Sequence, residues 1–222
     1  PDCTAVVHLG KPEQNTVSRT HLPKYNIGAH FLTAKTFRNT SLFRDPSCAR
    51  IFCEELEKAR QTYGFHVLAF VVMPDHVHLL LWWEVDKLPD LTISKVAWAI
   101  KGRSARRIVA YLKNETAVDS LKGLLRPVHQ SLDRPHYRNW QYKVWQQGAG
   151  YDFNIYSAEK LKEKVDYIHA NPVRAGLAFC SEEYLWSSAM NYAICAGDGS
   201  ALAHLHSVPI HPVTIVPYTQ IV

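Results

Sequence analysis

Two neighbouring runs of the chain alternate in the manner of β-strands. "FHVLAFVVM" and "HVHLLLWW" are rich in β-branched and aromatic residues, and only Pro74 and Asp75 separate them, which predicts a tight hairpin turn. Pairing across that turn places Val71 opposite His78, and alternation then puts His76 and His78 on one face. The opposite face, which we expect to pack on helices, carries Leu68, Phe70, Val72, Val77, Leu79 and Leu81.

Helical periodicity marks three other segments. "DPSCARIFCEELEKARQTYG" predicts a helix with Asp45 as N-cap and Gly64 at its end. "DLTISKVAWAIKGRSARRIVAYL" predicts a second helix with an apolar stripe turned inward. "AEKLKEKVDYIHA" predicts a third helix, which Ser157 caps and Pro172 stops.

The order of these elements predicts the fold class. With "YNIGAHFLTAKTF" and "YDFNIYS" as further strands, the chain reads strand, helix, hairpin, helix, strand, helix. We expect an α+β fold, a ferredoxin-like antiparallel sheet with helices on one face and the two histidines on a central strand. The predicted domain organisation is an N-terminal arm over 1–24, a single domain over 25–192 with a loop or insertion at 114–142, and an extended C-terminal tail over 193–222.

Composition narrows the class of protein. Of 222 residues, 47% are hydrophobic and 20% are charged, which is typical of a globular domain with a real core. The formal charge of +5 suits a polyanionic partner. Five cysteines without a C-x-x-C spacing favour neither a zinc site nor a disulfide framework. Because we find no signal peptide and no apolar run long enough to span a bilayer, we expect a cytoplasmic protein without membrane contact.

The pair His76 and His78 is the first candidate for chemistry. A His-x-His pair on a strand points two imidazoles to the same side, close enough to chelate one divalent ion. The alternative is a pair of ordinary polar residues on the exposed face of a half-buried sheet. The residues alone leave both interpretations open.

The third predicted helix supplies a second candidate. Lys164, Tyr167 and Asn171 lie at positions i, i+3 and i+7, along one flank beside the apolar stripe. A tyrosine placed there is accessible to a substrate. The alternative is a packing aromatic whose hydroxyl reaches water.

Several stretches together resemble a known family. "MPDHVHLLL", "VDYIHANPVRAGL", "YLWSSA" and "VWQ" resemble the REP-associated tyrosine transposases, a branch of the single-tyrosine transposases in the HUH endonuclease superfamily. The resemblance spans roughly residues 25–192. It implies a metal-dependent single-stranded DNA endonuclease and strand transferase that cleaves near imperfect-palindrome hairpins through a covalent 5′-phosphotyrosine.

The same resemblance implies roles for four residues. His76 and His78 would be metal ligands, Asn171 the third ligand, and Tyr167 the nucleophile. Two neutral imidazoles and one amide oxygen suit Mg²⁺ or Mn²⁺. Whether such a protein acts as a monomer or a homodimer is left open. Possible DNA contacts, for which a solubilising role is the alternative, are Lys95, Arg103, Arg106, Lys113, Lys164 and Arg174.

Two other functions compete with this one. A non-catalytic or domesticated hairpin-binding protein would keep the fold, although the four residues of the candidate site are all present. A histidine-triad nucleotide hydrolase would need a third histidine at position 80, where this chain has Leu80. Lys164 is a candidate for assisting the nucleophile or contacting phosphate, whereas His169 lies on a different side of the helix and is not nominated as the base.

Overall fold

The predicted α+β class with one antiparallel sheet is confirmed. A computed structural model describes residues 28–113, 143–148, 150–195 and 212–220; the predicted arm over 1–24 and insertion over 114–142 lie outside these ranges. Four antiparallel strands form one sheet within the described residues: β1 (Ala29–Lys35), β2 (His66–Val72), β3 (His76–Trp82) and β4 (Tyr151–Ile155), in the order β2-β3-β1-β4. The α-helices of the described residues are α1 (Pro46–Tyr63), α2 (Ile93–Lys113), α3 (Ala158–Arg174) and the short α4 (Ala189–Cys195).

The β2–β3 hairpin has the predicted register. Val71 pairs with His78, and the backbone N–H of Met73 donates to the carbonyl of His76 over 2.8 Å. The register shifts between Val67 and Ala69, so Leu68 is an extra residue on β2. For this reason Leu68 packs on the histidine face, and its predicted place on the opposite face is wrong.

The two faces of the sheet bury different helices. α1 and α2 cover the face that carries Phe70, Val77 and Leu79. α3 buries its own stripe of Leu161, Val165 and Ile168 against the other face. The expectation of helices on one face therefore holds for α1 and α2 but not for α3, since an apolar stripe requires a partner without specifying which face provides it. As a result, α3 lies on the face of β3 that carries the histidines.

The helix ends follow local sequence signals with one exception. Asp45 caps α1 by accepting hydrogen bonds from the N–H groups of Ser47 and Cys48, and Gly64 ends the helix with a φ of +77°. The prediction that Pro172 stops α3 is wrong, because the helix continues to Arg174. A proline there removes only one backbone hydrogen bond, in the last turn of the helix.

Two segments outside the sheet cover the edge strand β2. The backbone N–H of Val72 donates to the carbonyl of Trp186 over 2.8 Å, near one end of the strand. Near the other end, Ile215 forms a parallel bridge with Val67. This edge is therefore paired along part of its length, which reduces the risk of association through exposed backbone groups. Among the helices within the described ranges, none has the length and apolar character needed to cross a membrane.

Candidate active site

The histidines of β3 and the tyrosine of α3 meet on one face of the sheet. His76 and His78 point to the same side, with ring centroids 4.8 Å apart and ring planes at 77°. The ring of Tyr167 lies 5.4 Å from that of His78, centroid to centroid, at 69°. Residues that are far apart in sequence thus form one cluster, because α3 packs over β2 and β3 on this face.

Each histidine is held at its Nδ1 atom. His78 Nδ1 lies 2.7 Å from the hydroxyl oxygen of Thr33 on β1, and His76 Nδ1 lies 2.6 Å from a carboxylate oxygen of Asp75. With both Nδ1 atoms engaged, Nε2 is the atom that each ring offers to a metal ion or substrate. Histidines that bind metals in proteins are usually oriented in this way by a partner on the other ring nitrogen.

The environment of His78 keeps its imidazole neutral. The residue is only 5% exposed. Burial lowers its pKa to about 3, and the charges of His76, Lys35 and Lys164 act in the same direction. A neutral imidazole near pH 7 has the free lone pair that metal coordination requires.

Tyr167 is accessible and has cations on both sides along α3. The residue is 36% exposed, and its ring lies 5.9 Å from the buried Phe31 ring, centroid to centroid, with the ring planes at 74°. Lys164 Nζ lies 5.5 Å from the ring centroid of Tyr167, and the guanidinium carbon of Arg174 lies 5.7 Å from it. Positive charge on both sides of an exposed tyrosine favours the approach of a phosphate group.

The ammonium group of Lys164 sits among aromatic rings. The side chain is 21% exposed, and Glu163 Oε1 lies 3.5 Å from its nitrogen. The same nitrogen lies 5.3, 5.8 and 5.5 Å from the ring centroids of Phe31, Phe153 and Tyr167. These contacts fix the charge beside the histidines more firmly than a fully solvated lysine would allow.

Asn171 lies one helical turn beyond Tyr167. Its side-chain nitrogen donates to the carbonyl of Tyr167 over 2.8 Å, so the amide oxygen is the group it can offer to a metal. Within the described residues, no group of three or more His, Cys, Asp or Glu side chains could hold a metal ion. The predicted set differs in composition, since its third donor is an amide. Two imidazole nitrogens and one amide oxygen still make a donor set that fits a divalent ion with open coordination positions.

The predicted DNA contacts divide between the two faces. Lys164 and Arg174 belong to the cluster around Tyr167. The remaining four residues lie on α2, which packs on the opposite face of the sheet, and so stand apart from the histidines: Lys95, Arg103, Arg106 and Lys113.

Sequence reasoning missed five residues of the cluster, among them Phe31 on β1, whose ring contacts that of Tyr167. Thr33 and Lys35 lie on β1, where Lys35 pairs with His76 across the sheet. Phe153 lies on β4, and Asp75 was read only as a turn residue. The alternation of β1 places Thr33 and Lys35 on one face, but no signal within a single sequence says that β1 pairs with β3. Asp75 could have been suspected from its position directly before the first histidine.

Comparisons with known proteins agree with the sequence motifs. The family described as "Transposase IS200 like" matches residues 23–121. A Haemophilus influenzae protein named "Putative REP-associated tyrosine transposase" is 28% identical over 130 residues, which are 57% of this chain and 60% of that relative. The predicted resemblance is confirmed.

A solved structure of a REP-associated tyrosine transposase bound to a REP hairpin has the same fold. It superposes with a TM-score of 0.56 at 19% identity, covering 82% of this chain and 87% of that chain. At this identity the similarity concerns the fold. The family match includes both histidines of β3 and ends before Tyr167. The role suggested for Tyr167 is therefore supported by the sequence motif and by the geometry described above.

Proposed function

We propose that this chain is a metal-dependent single-stranded DNA endonuclease and strand transferase of the single-tyrosine HUH type. The observation that carries the proposal is the contact between the accessible Tyr167 ring and the ring of His78. His78 and its neighbour His76 are both held at Nδ1, which is the arrangement expected of metal ligands. The catalytic domain would extend over residues 25–192.

Tyr167 would act as the nucleophile. Its phenolic oxygen, after losing its proton, attacks the phosphorus of a phosphodiester; a new P–O bond to tyrosine forms while the bond to the 3′ oxygen breaks. The released 3′ oxygen takes up a proton and leaves as a 3′-hydroxyl. The 5′-phosphotyrosine conserves the bond energy, so a different 3′-hydroxyl can attack it, rejoin the strands and release the tyrosine.

The remaining residues would bind and orient the phosphate. His76, His78 and Asn171 would hold a divalent ion, Mg²⁺ or Mn²⁺. When bound, such an ion withdraws charge from the non-bridging phosphate oxygens. Lys164 and Arg174 lie beside Tyr167 and would contact the same phosphate by charge-assisted hydrogen bonds.

The proposed substrate is single-stranded DNA that folds into imperfect-palindrome hairpins. The solved structure with the same fold is that of a transposase bound to a REP hairpin, which supports this choice. The chain's formal charge of +5 agrees with a polyanionic partner.

A nicking assay tests the proposal. Purified protein is incubated with end-labelled single-stranded hairpin DNA from the flanks of its own gene, with Mn²⁺ or with EDTA. We expect cleavage with Mn²⁺, none with EDTA, and none from His78→Ala. His66→Ala is the matched control, since His66 lies at the opposite end of the hairpin, paired with Trp82. Tight binding without any cleavage by the wild type would instead indicate a non-catalytic hairpin-binding protein.

A further inference from the structure

An exposed aromatic residue lies beside the candidate active site with no assigned role. Phe153 on β4 is 38% exposed. It pairs directly with Phe31 on β1, whose buried ring contacts the rings of both His78 and Tyr167. Single exposed apolar residues are common on protein surfaces, so exposure alone carries no meaning. Phe153 is distinguished by its position, because its cross-strand neighbour Phe31 contacts the candidate site directly.

The second observation is the charge that accompanies this ring. Lys164 Nζ lies 5.8 Å from the ring centroid of Phe153 and 5.5 Å from that of Tyr167. A flat apolar surface and a fixed cation thus lie next to each other, within reach of the same tyrosine. A nucleotide presents the complementary pair of groups, a flat base and an anionic phosphate.

We propose that Phe153 is a stacking platform for the unpaired base next to the cleaved phosphate, with Lys164 binding that phosphate. The inference rests on the proposed function. It assigns a binding position to the unpaired base, which the proposed nucleophile and metal ligands do not contact. Because every base has a flat face, stacking on Phe153 fixes the position of the strand without reading its sequence. Phe153 is therefore a positioning residue, and recognition of the hairpin is left to other parts of the protein.

A binding experiment with defined DNA tests this assignment. The first probe is a fluorescent hairpin oligonucleotide whose single-stranded flank consists of thymidines. The second probe is the same oligonucleotide with abasic sites at those positions. Affinities are measured by anisotropy in EDTA, which prevents cleavage. We expect Phe153→Leu to weaken binding of the thymidine probe about tenfold and to leave binding of the abasic probe unchanged. Phe153→Trp should bind the thymidine probe at least as tightly as the wild type.

Trp98→Leu is the matched control for loss of an exposed aromatic. Trp98 is 78% exposed on α2, on the other side of the sheet, and this variant should bind both probes as the wild type does. Equal affinity of Phe153→Leu and the wild type for the thymidine probe would overturn the inference. So would an equal loss of affinity of Phe153→Leu for the thymidine probe and for the abasic probe. If the wild type cuts hairpin DNA and Phe153→Leu gives either of these two results, only the assignment of Phe153 as a stacking platform fails. If the wild type neither binds nor cuts, the proposed function fails with it.

Discussion

His78 takes its chemical character from its immediate neighbours. Burial keeps the imidazole neutral, and Thr33 fixes the orientation of the ring through Nδ1. The sequence motif identified His78 as a candidate ligand, because alternation along one strand is a local property. It could not identify Thr33, since that contact exists only when β1 pairs with β3.

Thr33→Val should weaken metal binding without changing the shape of the side chain. Loss of the hydroxyl leaves Nδ1 of His78 without its partner, and we expect Mn²⁺ affinity to fall about 10- to 100-fold. Electron paramagnetic resonance of free Mn²⁺ during a titration measures this directly, without an activity assay. Thr33→Ser restores the hydroxyl and should bind Mn²⁺ nearly as the wild type does. Wild-type affinity in Thr33→Val would show that the contact does not orient a ligand.

Lys164→Ala should reduce the rate of strand cleavage. The lysine fixes a positive charge beside Tyr167, and losing a charge-assisted contact to phosphate should slow single-turnover cleavage at least about tenfold. Lys162→Ala is the matched control on the same helix, because Lys162 is largely exposed and paired with Asp166. Equal cleavage rates for the two variants would remove Lys164 from the site.

At the scale of elements, α3 is joined to β2 through the segment that follows it. Ser188 donates its backbone N–H to the carbonyl of Phe70 and accepts the N–H of Phe70 at its hydroxyl oxygen. The same hydroxyl lies 2.8 Å from Nε2 of His169 on α3. This geometry gives the "YLWSSA" motif a structural role, since it links the helix of the tyrosine to the sheet.

The link through His169 should make the protein sensitive to acid. Burial lowers the pKa of His169 to about 4, with Asp166 opposing that shift, from an ordinary value near 6.5. As the pH falls from 6.5 towards 4, the unfolded chain binds a proton that the folded protein does not, so the free energy of unfolding decreases. Between pH 7 and pH 5 we expect the free energy of unfolding to fall by about 2 kcal/mol more in the wild type than in His169→Gln.

Urea unfolding at the two pH values measures the difference. Both proteins must unfold in a single transition for the comparison to be valid. Parallel losses of stability in the wild type and in His169→Gln would show that His169 does not contribute to the pH dependence.

Elements with local signals were predictable, and their packing was not. The cap of α1 at Asp45 and the β2–β3 turn follow from short stretches of sequence. The face on which α3 packs, and the extra residue at Leu68, depend on how distant segments fit together. The candidate site follows the same division. The residues that lie on β3 and α3 themselves, such as His78 and Tyr167, were predicted, whereas the neighbours that β1 and β4 bring to them, such as Thr33 and Phe153, were not.

At the scale of the whole molecule, the sheet separates a structural core from the candidate site. α1 and α2 bury one face, and the other face carries the histidines beneath α3. Residues 213–215 return to the first of these layers, where Val213 is 4% exposed and Thr214 donates its N–H to a carboxylate oxygen of Glu57. The end of the described chain is therefore part of the folded structure around β2.

Val213→Ala should destabilise the protein while leaving the residues of the candidate site in place. Removing two buried methyl groups from this layer should lower the free energy of unfolding by about 2 kcal/mol. Urea unfolding measures the change, and Thr219→Ala at an exposed position is the control. An unchanged midpoint in Val213→Ala would mean that the segment does not contribute to stability.

Formation of a covalent protein–DNA adduct tests the central claim most directly. Wild type and Tyr167→Phe are incubated with Mn²⁺ and end-labelled single-stranded hairpin DNA, then separated on a denaturing gel. We predict an adduct with the wild type that survives denaturation and requires the metal, with none from Tyr167→Phe, and mass spectrometry should place the nucleotide on Tyr167. An adduct of equal yield from Tyr167→Phe, or strand cleavage by the wild type without any adduct, would contradict the assignment of Tyr167 as the nucleophile.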